Sequence, residues 1–536
     1  MEINFNAENR FAKISILFSF IMLSIGGLFG LLQLLTRTPY FPIQLSPQLY
    51  YLSLTAHGVS LAIVWTAFFI MGLATFVITR ELNVNLNRIL LNMSIVLSIG
   101  GVLITDFAIL SGTSSVLYTF YPPLKADPLF YIGTAVLILG TWIFAVLIFL
   151  AFIRWRKKNK ASIPIASFGV LTTLIVWLEA TPGLMIEIVK DLIPMSLSNI
   201  PVDVLEARTY FWYFGHAVVY FWLIPAITLW YFLLPKLLNT TLYSNRLPKI
   251  SFILFILFST PVGVHHQFMD PGIADQYKYM MSVLTYIVTI PSFLTAFTLL
   301  ATMEKSYREK GGKGLFLWLK HLPWKDSVFA GIAFSMVLFA FGGISGIINA
   351  SFSLNSVVHN TTWIVGHFHL TVATATTLTF MVSSYIIIPA LFNRAIMFKK
   401  LMILQPYLWF VGMSIFSSAF HIAGLYGMPR RTADILYGGA APFIWIVLAQ
   451  IAALGGIILW SSGVIFIFNA GVSVIRSPRI AMDASSMFEV KEEDPSILDR
   501  ISIWVLIAVV IIIMAYVFPF VQIYSRGLSP APPLPP

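Results

Sequence analysis

The sequence predicts an all-α protein, a polytopic bundle of about thirteen membrane-spanning helices. Three observations carry that expectation. Of the 536 residues, 58% are hydrophobic and only 10% are charged, against about 25% charged in a soluble domain. So few charges cannot cover a soluble surface of this size. Apolar runs of about 20 residues, long enough to cross a hydrocarbon core, recur along the whole chain. No run shows the alternating pattern of a barrel strand, so each span satisfies its own backbone groups as a helix. High apolar content throughout excludes a disordered chain. The absence of cysteine excludes disulfides, iron–sulfur clusters, thiolate-bound haem and cysteine-based zinc or copper sites.

Taken in order, the first run, 11–36, is too long for a signal peptide, lacks a clear cleavage pattern and is followed by further spans. It reads as a mature helix. Runs 50–79, 89–110, 130–153 and 162–189 follow on length and composition alone. Run 208–235 includes Tyr220 and Tyr231, which return below. Run 249–270 contains Pro261 and Gly263, which loosen a helix. Run 277–303 carries Ser292 and Thr295 beside Pro291. Runs 327–350, 360–392, 401–426, 440–471 and 500–524 complete the set. Residues 1–525 form one transmembrane domain. Segment 483–500, with Glu489, Lys491, Glu492, Glu493 and Asp494, reads as a solvated connector. The tail, 526–536, ends in Ser529-Pro530-Ala531-Pro532-Pro533-Leu534-Pro535-Pro536. It cannot be helical and is expected to be an extended surface arm.

Orientation follows from basic residues, which favour the cytoplasmic side. An odd number of spans puts the termini on opposite sides. About 25 of the 33 Lys and Arg fall on the side of the N-terminus. They include Arg154, Arg156, Lys157, Lys158 and Lys160, the 304–326 loop and the 394–400 segment. The N-terminus is therefore expected in the cytoplasm and the C-terminus outside. This asymmetry accounts for most of the +11 net charge, so a nucleic-acid partner is not expected.

The nine histidines stand at 57, 216, 265, 266, 321, 359, 367, 369 and 421. His321 lies in a loop. Ionisable groups inside membranes are costly and are functional candidates by default, although a single one can be a packing hydrogen bond. With the orientation above, His57, His216, His265, His266, His367 and His369 all fall about 7–13 Å below the outer surface, at about 1.5 Å per residue. Six imidazoles from four helices at one depth point to metal, because neutral imidazole is the natural ligand of haem iron and copper. His367 and His369 project about 200° apart on a helix, so they serve different metals on its two sides. His265 and His266 are adjacent in a loosened segment and can reach one ion. His216 and Tyr220 share a helix face at i,i+4. Six ligands divide economically as two on one haem, one on a second haem and three on copper, a partition that spacing alone does not force.

The ordered set His57-Gly58, Gly215-His216-Ala217-Val218-Val219-Tyr220, His265-His266-Gln267-Phe268, Gly366-His367-Phe368-His369 and Gly427-Met428-Pro429-Arg430-Arg431 closely resembles subunit I of the haem–copper terminal oxidases. The likeness runs over residues 11–525, and thirteen spans point to the B branch. The resemblance implies a prokaryotic inner-membrane subunit that reduces O2 to water and translocates protons. It implies His57 and His369 as axial ligands of a low-spin haem and His367 as the proximal ligand of a high-spin haem, each a- or b-type. It implies His216, His265 and His266 on copper B, with Tyr220 the catalytic tyrosine cross-linked to His216. Arg430 and Arg431 would hold haem propionates by charge-assisted hydrogen bonds.

Four-electron reduction of O2 consumes four protons, which must cross most of the membrane. Tyr220, Tyr231, Ser292 and Thr295 match the B-branch path that parallels the K pathway, although a lone Ser or Thr usually bonds back to its own helix. Ala217 and Val218 replace the Pro-Glu of many relatives, so a second, D-type route is absent. Ile227 stands where some relatives have a path tyrosine, so water or a neighbouring group must bridge there. His359-Asn360 replaces a His-Asp pair that holds Mg2+ in other branches, which puts Mg2+ in doubt and leaves His359 for a propionate. His421 receives no role. Without cysteine there is no copper A here. Electrons must come through a partner subunit II, either copper A-bearing and fed by cytochrome c or of the quinol type, with small subunits and membrane lipid completing the assembly. Nitric oxide reductase and a haem-free transporter stay open as alternatives, the first disfavoured by Tyr220.

Overall fold

Each apolar run folds as a helix, because a backbone surrounded by hydrocarbon has no partner for its polar groups except itself. The computed structural model describes residues 5–482, 484–488, 493–526 and 530–531. Its principal helices are α1 (Asn6–Thr36), α2 (Pro47–Glu81), α3 (Arg88–Leu110), α4 (Pro128–Lys158), α5 (Ile165–Ser198), α6 (Val204–Leu238), α7 (Arg246–Phe258), α8 (Asp275–Arg308), α9 (Ser327–Ala350), α10 (Thr362–Phe392), α11 (Lys399–Leu425), α12 (Phe443–Arg476) and α13 (Ile501–Ser525). All but α7 are long and apolar enough to cross a membrane. The expected all-helical bundle is thus observed.

Local chemistry starts these helices where they begin. Ser46 accepts from Leu49 N and Pro47 occupies the first turn of α2, where its missing N–H costs nothing. Asp203 accepts from Leu205 N and Glu206 N at the start of α6. The helices most enclosed by others are α2, α6 and α10. These three carry His57, His216, His367 and His369. Helices α8, α12 and α13 keep most of their surface open, as expected of elements facing lipid or a partner.

The structure corrects the expectations in three places. Run 249–270 is not one helix: α7 stops at Phe258, and Gly263–Gln267 forms a single 3₁₀ turn. Pro261 cannot donate to the preceding turn and its ring would clash there. In α2 and α10 the backbone widens to π-helix just after a histidine, over Val59–Trp65 and His369–Leu378. No periodicity signals this local widening, which is frequent at functional sites. Finally, the connector before α13 is not solvated throughout. Glu493 and Asp494 are exposed, but Asp499 is buried and bonded to Lys249 of α7 at 2.7 Å. Glu489, Lys491 and Glu492 lie outside the described residues.

The Lys249–Asp499 pair ties α7, the α4–α5 loop and α13 together, since Lys249 also donates to Ser162 and Asp499 accepts from Ile163 N. Burial raises the Asp499 carboxyl, but Lys249 and the backbone N–H groups of Ser496 and Ile163 outweigh it and hold the group below the ordinary carboxylate value. Removing one partner of such a buried pair costs about 3–5 kcal/mol. Of the tail, Pro530–Ala531 forms strand β2, antiparallel to β1 (Val202–Asp203) at the head of α6. Residues 527–529 and 532–536, where the rest of the expected arm falls, lie outside the described residues.

Candidate metal centre

Inward-facing histidines need a partner for one ring nitrogen, so that the other is fixed toward a ligand. Three of them have that arrangement. His57 Nδ1 meets Gly26 O of α1 at 2.8 Å. His369 Nδ1 meets Val365 O, one turn earlier on α10, at 2.8 Å. His367 Nδ1 meets Gly342 O and Ser345 Oγ of α9, each at 3.0 Å. In every case Nε2 is left free. The His57 ring reaches α1 because Gly30 stands there; a Cβ at that position would come within 2.5 Å of Nδ1.

His57 and His369 face one another across a shared cavity. Their rings are 16° from parallel, with centroids 6.3 Å apart. Two nitrogen–metal bonds of about 2.0 Å, with a ring radius of about 1.2 Å at either end, span that distance. The separation therefore matches one metal ion held between the two rings, whose Nδ1 atoms are already bonded. His369 is packed in place by Phe368 and Phe416.

The second group lies on α6 and the 3₁₀ turn. Ligand atoms of His216, His265 and His266 all fall within 4.8 Å of one another. His216 Nδ1 is 3.2 Å from His266 Nε2, near the separation of about 3.3 Å that two ligands take on a tetrahedral ion with bonds of about 2.0 Å. His265 Nδ1 is held by Thr285 Oγ1 of α8 at 2.9 Å. The His266 ring lies flat on Trp212, 10° from parallel with centroids 3.9 Å apart. The 3₁₀ turn brings adjacent histidines to one point, which a continuous helix would not. Tyr220 places its hydroxyl 3.2 Å from His216 Nε2.

These groups line one cavity of about 1150 Å³, together with His367, Arg430 and Arg431. It is walled chiefly by apolar side chains and exceeds an ordinary ligand pocket of about 300–1,000 Å³. At its rim Arg430 donates to Asn360 Oδ1 at 2.9 Å. Arg430 Nε and Arg431 Nε and Nη2 are buried with no protein partner. Burial and the neighbouring Arg431 charge pull Arg430 down to about 10. Arg431 itself sits at a left-handed φ of 62°, a conformation that costs a non-glycine residue energy and is kept where the surroundings demand it. Unpaired guanidinium N–H groups beside a large apolar cavity fit an apolar group bearing carboxylates, which is the chemistry of haem.

His359 lines the same rim, with Nδ1 on Asn355 Oδ1 at 3.0 Å. Burial and the charges of Arg430, Arg208 and Arg431 take it down to about 4. The Asn360 side-chain oxygen is taken by Arg430. His421 bonds Ser417 O at 2.8 Å and leaves Nε2 buried without a partner. Below the metal groups, Tyr231 donates to Thr295 Oγ1 at 2.9 Å, and Thr295 with Ser292 lines the cavity. Ile227 is fully buried.

Several participants escaped sequence reading. Ser251 of α7 contacts Thr295 Oγ1 at 2.9 Å and donates to Pro291 O. Thr285 and Ser345 orient ligands but read as ordinary hydroxyls in apolar runs. Arg37 is buried on the cavity wall and donates to Pro429 O. Its one signal is a lone arginine immediately after the first apolar run.

Comparison with known proteins agrees with this geometry. The model of the family described as "Cytochrome C and Quinol oxidase polypeptide I" matches residues 10–458, so the chain belongs to that family of haem–copper oxygen reductases, multi-pass membrane proteins. It is 38% identical to cytochrome c oxidase subunit 1 of Thermus thermophilus, over 98% of this chain and 96% of that protein. It is 24% identical to quinol oxidase subunit 1 of Sulfolobus acidocaldarius, over 65% of this chain and 67% of that protein. A cryo-EM structure described as a heme-copper terminal oxidase dimer superposes with a TM-score of 0.90 at 32% identity, covering 99% of this chain and 95% of the other.

Proposed function

We propose that the chain is the O2-reducing subunit of a B-branch respiratory oxidase. His57 and His369 hold a low-spin haem, His367 holds a high-spin haem, and His216, His265 and His266 hold copper B. The observation that carries this reading is the shared cavity. It contains a parallel histidine pair 6.3 Å apart, a cluster of three histidines and one further histidine whose Nδ1 is fixed on α9. When bound, the haem iron and copper supply the O2-binding and electron-transfer chemistry.

The residues of the chain do the rest. Backbone carbonyls at Gly26, Gly342 and Val365 fix the imidazole tautomers. Apolar walls exclude water from the cavity, which strengthens every electrostatic contact inside it. Arg430 and Arg431 offer unpaired N–H groups to propionates. Tyr220 holds a proton at its hydroxyl beside His216, where a proton is consumed. Thr295 accepts from Tyr231 and donates back to Pro291 O, so it passes a proton into the cavity lined by Ser292 and Tyr220 when its hydroxyl turns away from that carbonyl. With no glutamate at Val218, chemical and pumped protons share this route, entering from the cytoplasmic side where the N-terminus lies. Electrons come from cytochrome c through a copper A-bearing subunit II. The 38% identity to a cytochrome c oxidase subunit, against 24% to a quinol oxidase subunit, supports that donor over quinol.

Elemental analysis of the purified enzyme tests the metal content. We expect about one copper for every two irons in this chain, after subtracting copper assigned to subunit II. A third iron in place of copper would favour a nitric oxide reductase, and no haem absorption would leave a transporter. The proton route has a separate test. Tyr231→Phe is expected to slow O2 consumption by about 10²-fold, with both haem spectra unchanged and a larger solvent isotope effect. Unaltered turnover would remove Tyr231 from the route.

A further inference from the structure

Between α7 and the 3₁₀ turn only Ser259 N keeps a helical bond, to Phe255 O, and Val262 N folds back on Thr260 O, yet the segment lies inside the bundle: Ser259, Thr260, Val262 and Gly263 are all buried. Such a break persists in a membrane protein only where other groups satisfy it. Two elements remote in sequence do so. Tyr516 of α13 is buried, donates to Thr260 O at 3.1 Å and accepts from Gly263 N at 3.1 Å. One phenol thus bridges the two sides of the break, joining Thr260 O, which also accepts from Val262 N, to Gly263 N. Glu179 of α5 is also buried, and its Oε2 accepts from Thr260 Oγ1 at 3.3 Å. The fit around the turn is close. A Cβ on Gly263 would lie 2.1 Å from Trp212 O and 2.6 Å from the Tyr516 hydroxyl. His265 and His266 stand two and three residues after Gly263, in the same turn, so whatever fixes the backbone there fixes where their rings point.

We infer that Tyr516 and Glu179 are positioning residues for the copper ion, bracing the broken helix so that His265 and His266 converge on His216. This rests on the reading that those three histidines bind copper. It gives α13, which lies beyond the 10–458 segment matched by the family model, a part in the centre. It also gives a structural part to Oε2 of a carboxyl inside the membrane that the proton route does not use, Oε1 being buried without a protein partner. The alternative is that Tyr516 merely anchors α13. Tyr277 is the internal control for that, because it too bonds α13, donating to Ala515 O, and its hydroxyl makes no hydrogen bond to the break.

The experiment uses the purified whole enzyme in four variants: Tyr516→Phe, Glu179→Leu, Tyr277→Phe and His265→Ala. The readouts are the copper-to-iron ratio after washing with a copper chelator and the infrared band of CO transferred to copper on photolysis. Tyr516→Phe removes only the hydroxyl. It is expected to keep both haem spectra, to lose copper about tenfold more readily, as is typical when a group supporting a metal ligand is removed, and to shift or broaden the CO band. Glu179→Leu is expected to do the same, whereas Tyr277→Phe keeps both readouts at wild type. Full copper and an unchanged band in Tyr516→Phe and Glu179→Leu would overturn the inference, and so would equal copper loss in Tyr277→Phe. If Tyr516→Phe does not accumulate with haem, Glu179→Leu decides alone. His265→Ala separates the premise from the inference: copper retained there sinks the ligand assignment, whereas copper lost there but held in both brace variants sinks only the brace.

Discussion

Replacing His369 with alanine is expected to abolish the low-spin haem signal while leaving the high-spin haem and copper in place. The geometry argues for a selective effect. His369 and His57 face each other, 16° from parallel, and their Nδ1 atoms are tied to Val365 O and Gly26 O. His367 is held instead from α9, by Gly342 and Ser345. Even losing a partner behind a metal ligand weakens binding by about 10–100-fold; losing one of two axial ligands, with an apolar side chain in its place, should exceed that. The reduced alpha band of the purified variant is the measurement. A retained low-spin band would mean that His57 pairs with another ligand, and the partition of the six histidines would have to be redrawn. The mirror substitution, His57→Ala, should give the same spectrum.

Tyr220→Phe is expected to lower O2 consumption by about 10²–10⁴-fold, the range for removing a positioned proton donor, with both haem spectra and copper content preserved. Only one atom is lost. The Tyr220 hydroxyl is 3.2 Å from His216 Nε2, and the ring, packed against Phe255, keeps its place without it. Steady-state oxygen uptake and the optical spectrum together make the test. Normal turnover would remove the tyrosine from the mechanism. Loss of copper together with activity would make it a support for His216 rather than a proton donor.

The fold was largely legible from composition and run length. Hydrocarbon forces every backbone group to bond within its own segment, so an apolar run of sufficient length has essentially one outcome. The histidines were legible for a related reason: imidazole inside a membrane is costly enough to be rare. The opposite projection of His367 and His369 followed from helical geometry, and their rings do take different partners. Legibility failed where a hydroxyl does the work. Ser251, Thr285 and Ser345 look like any serine or threonine that bonds back to its own helix, and only the packing of α7, α8 and α9 shows where each points. It failed again at Asp499, which reads as part of a charged connector until Lys249 is seen buried against it.

By itself, then, the chain determined its all-helical character, the order of its helices and the residue types available to hold metal, because these follow from solvation costs paid locally. Two things were decided only in three dimensions. They are the widening of α2 and α10 into π-helix beside their histidines, and the closing of the break after α7 by Tyr516 and Glu179 from helices far along the sequence. Pro261 marks the break locally, but the groups that close it are brought by packing rather than by sequence proximity. Where a backbone group or ring nitrogen loses its local bond, its position depends on what lies opposite.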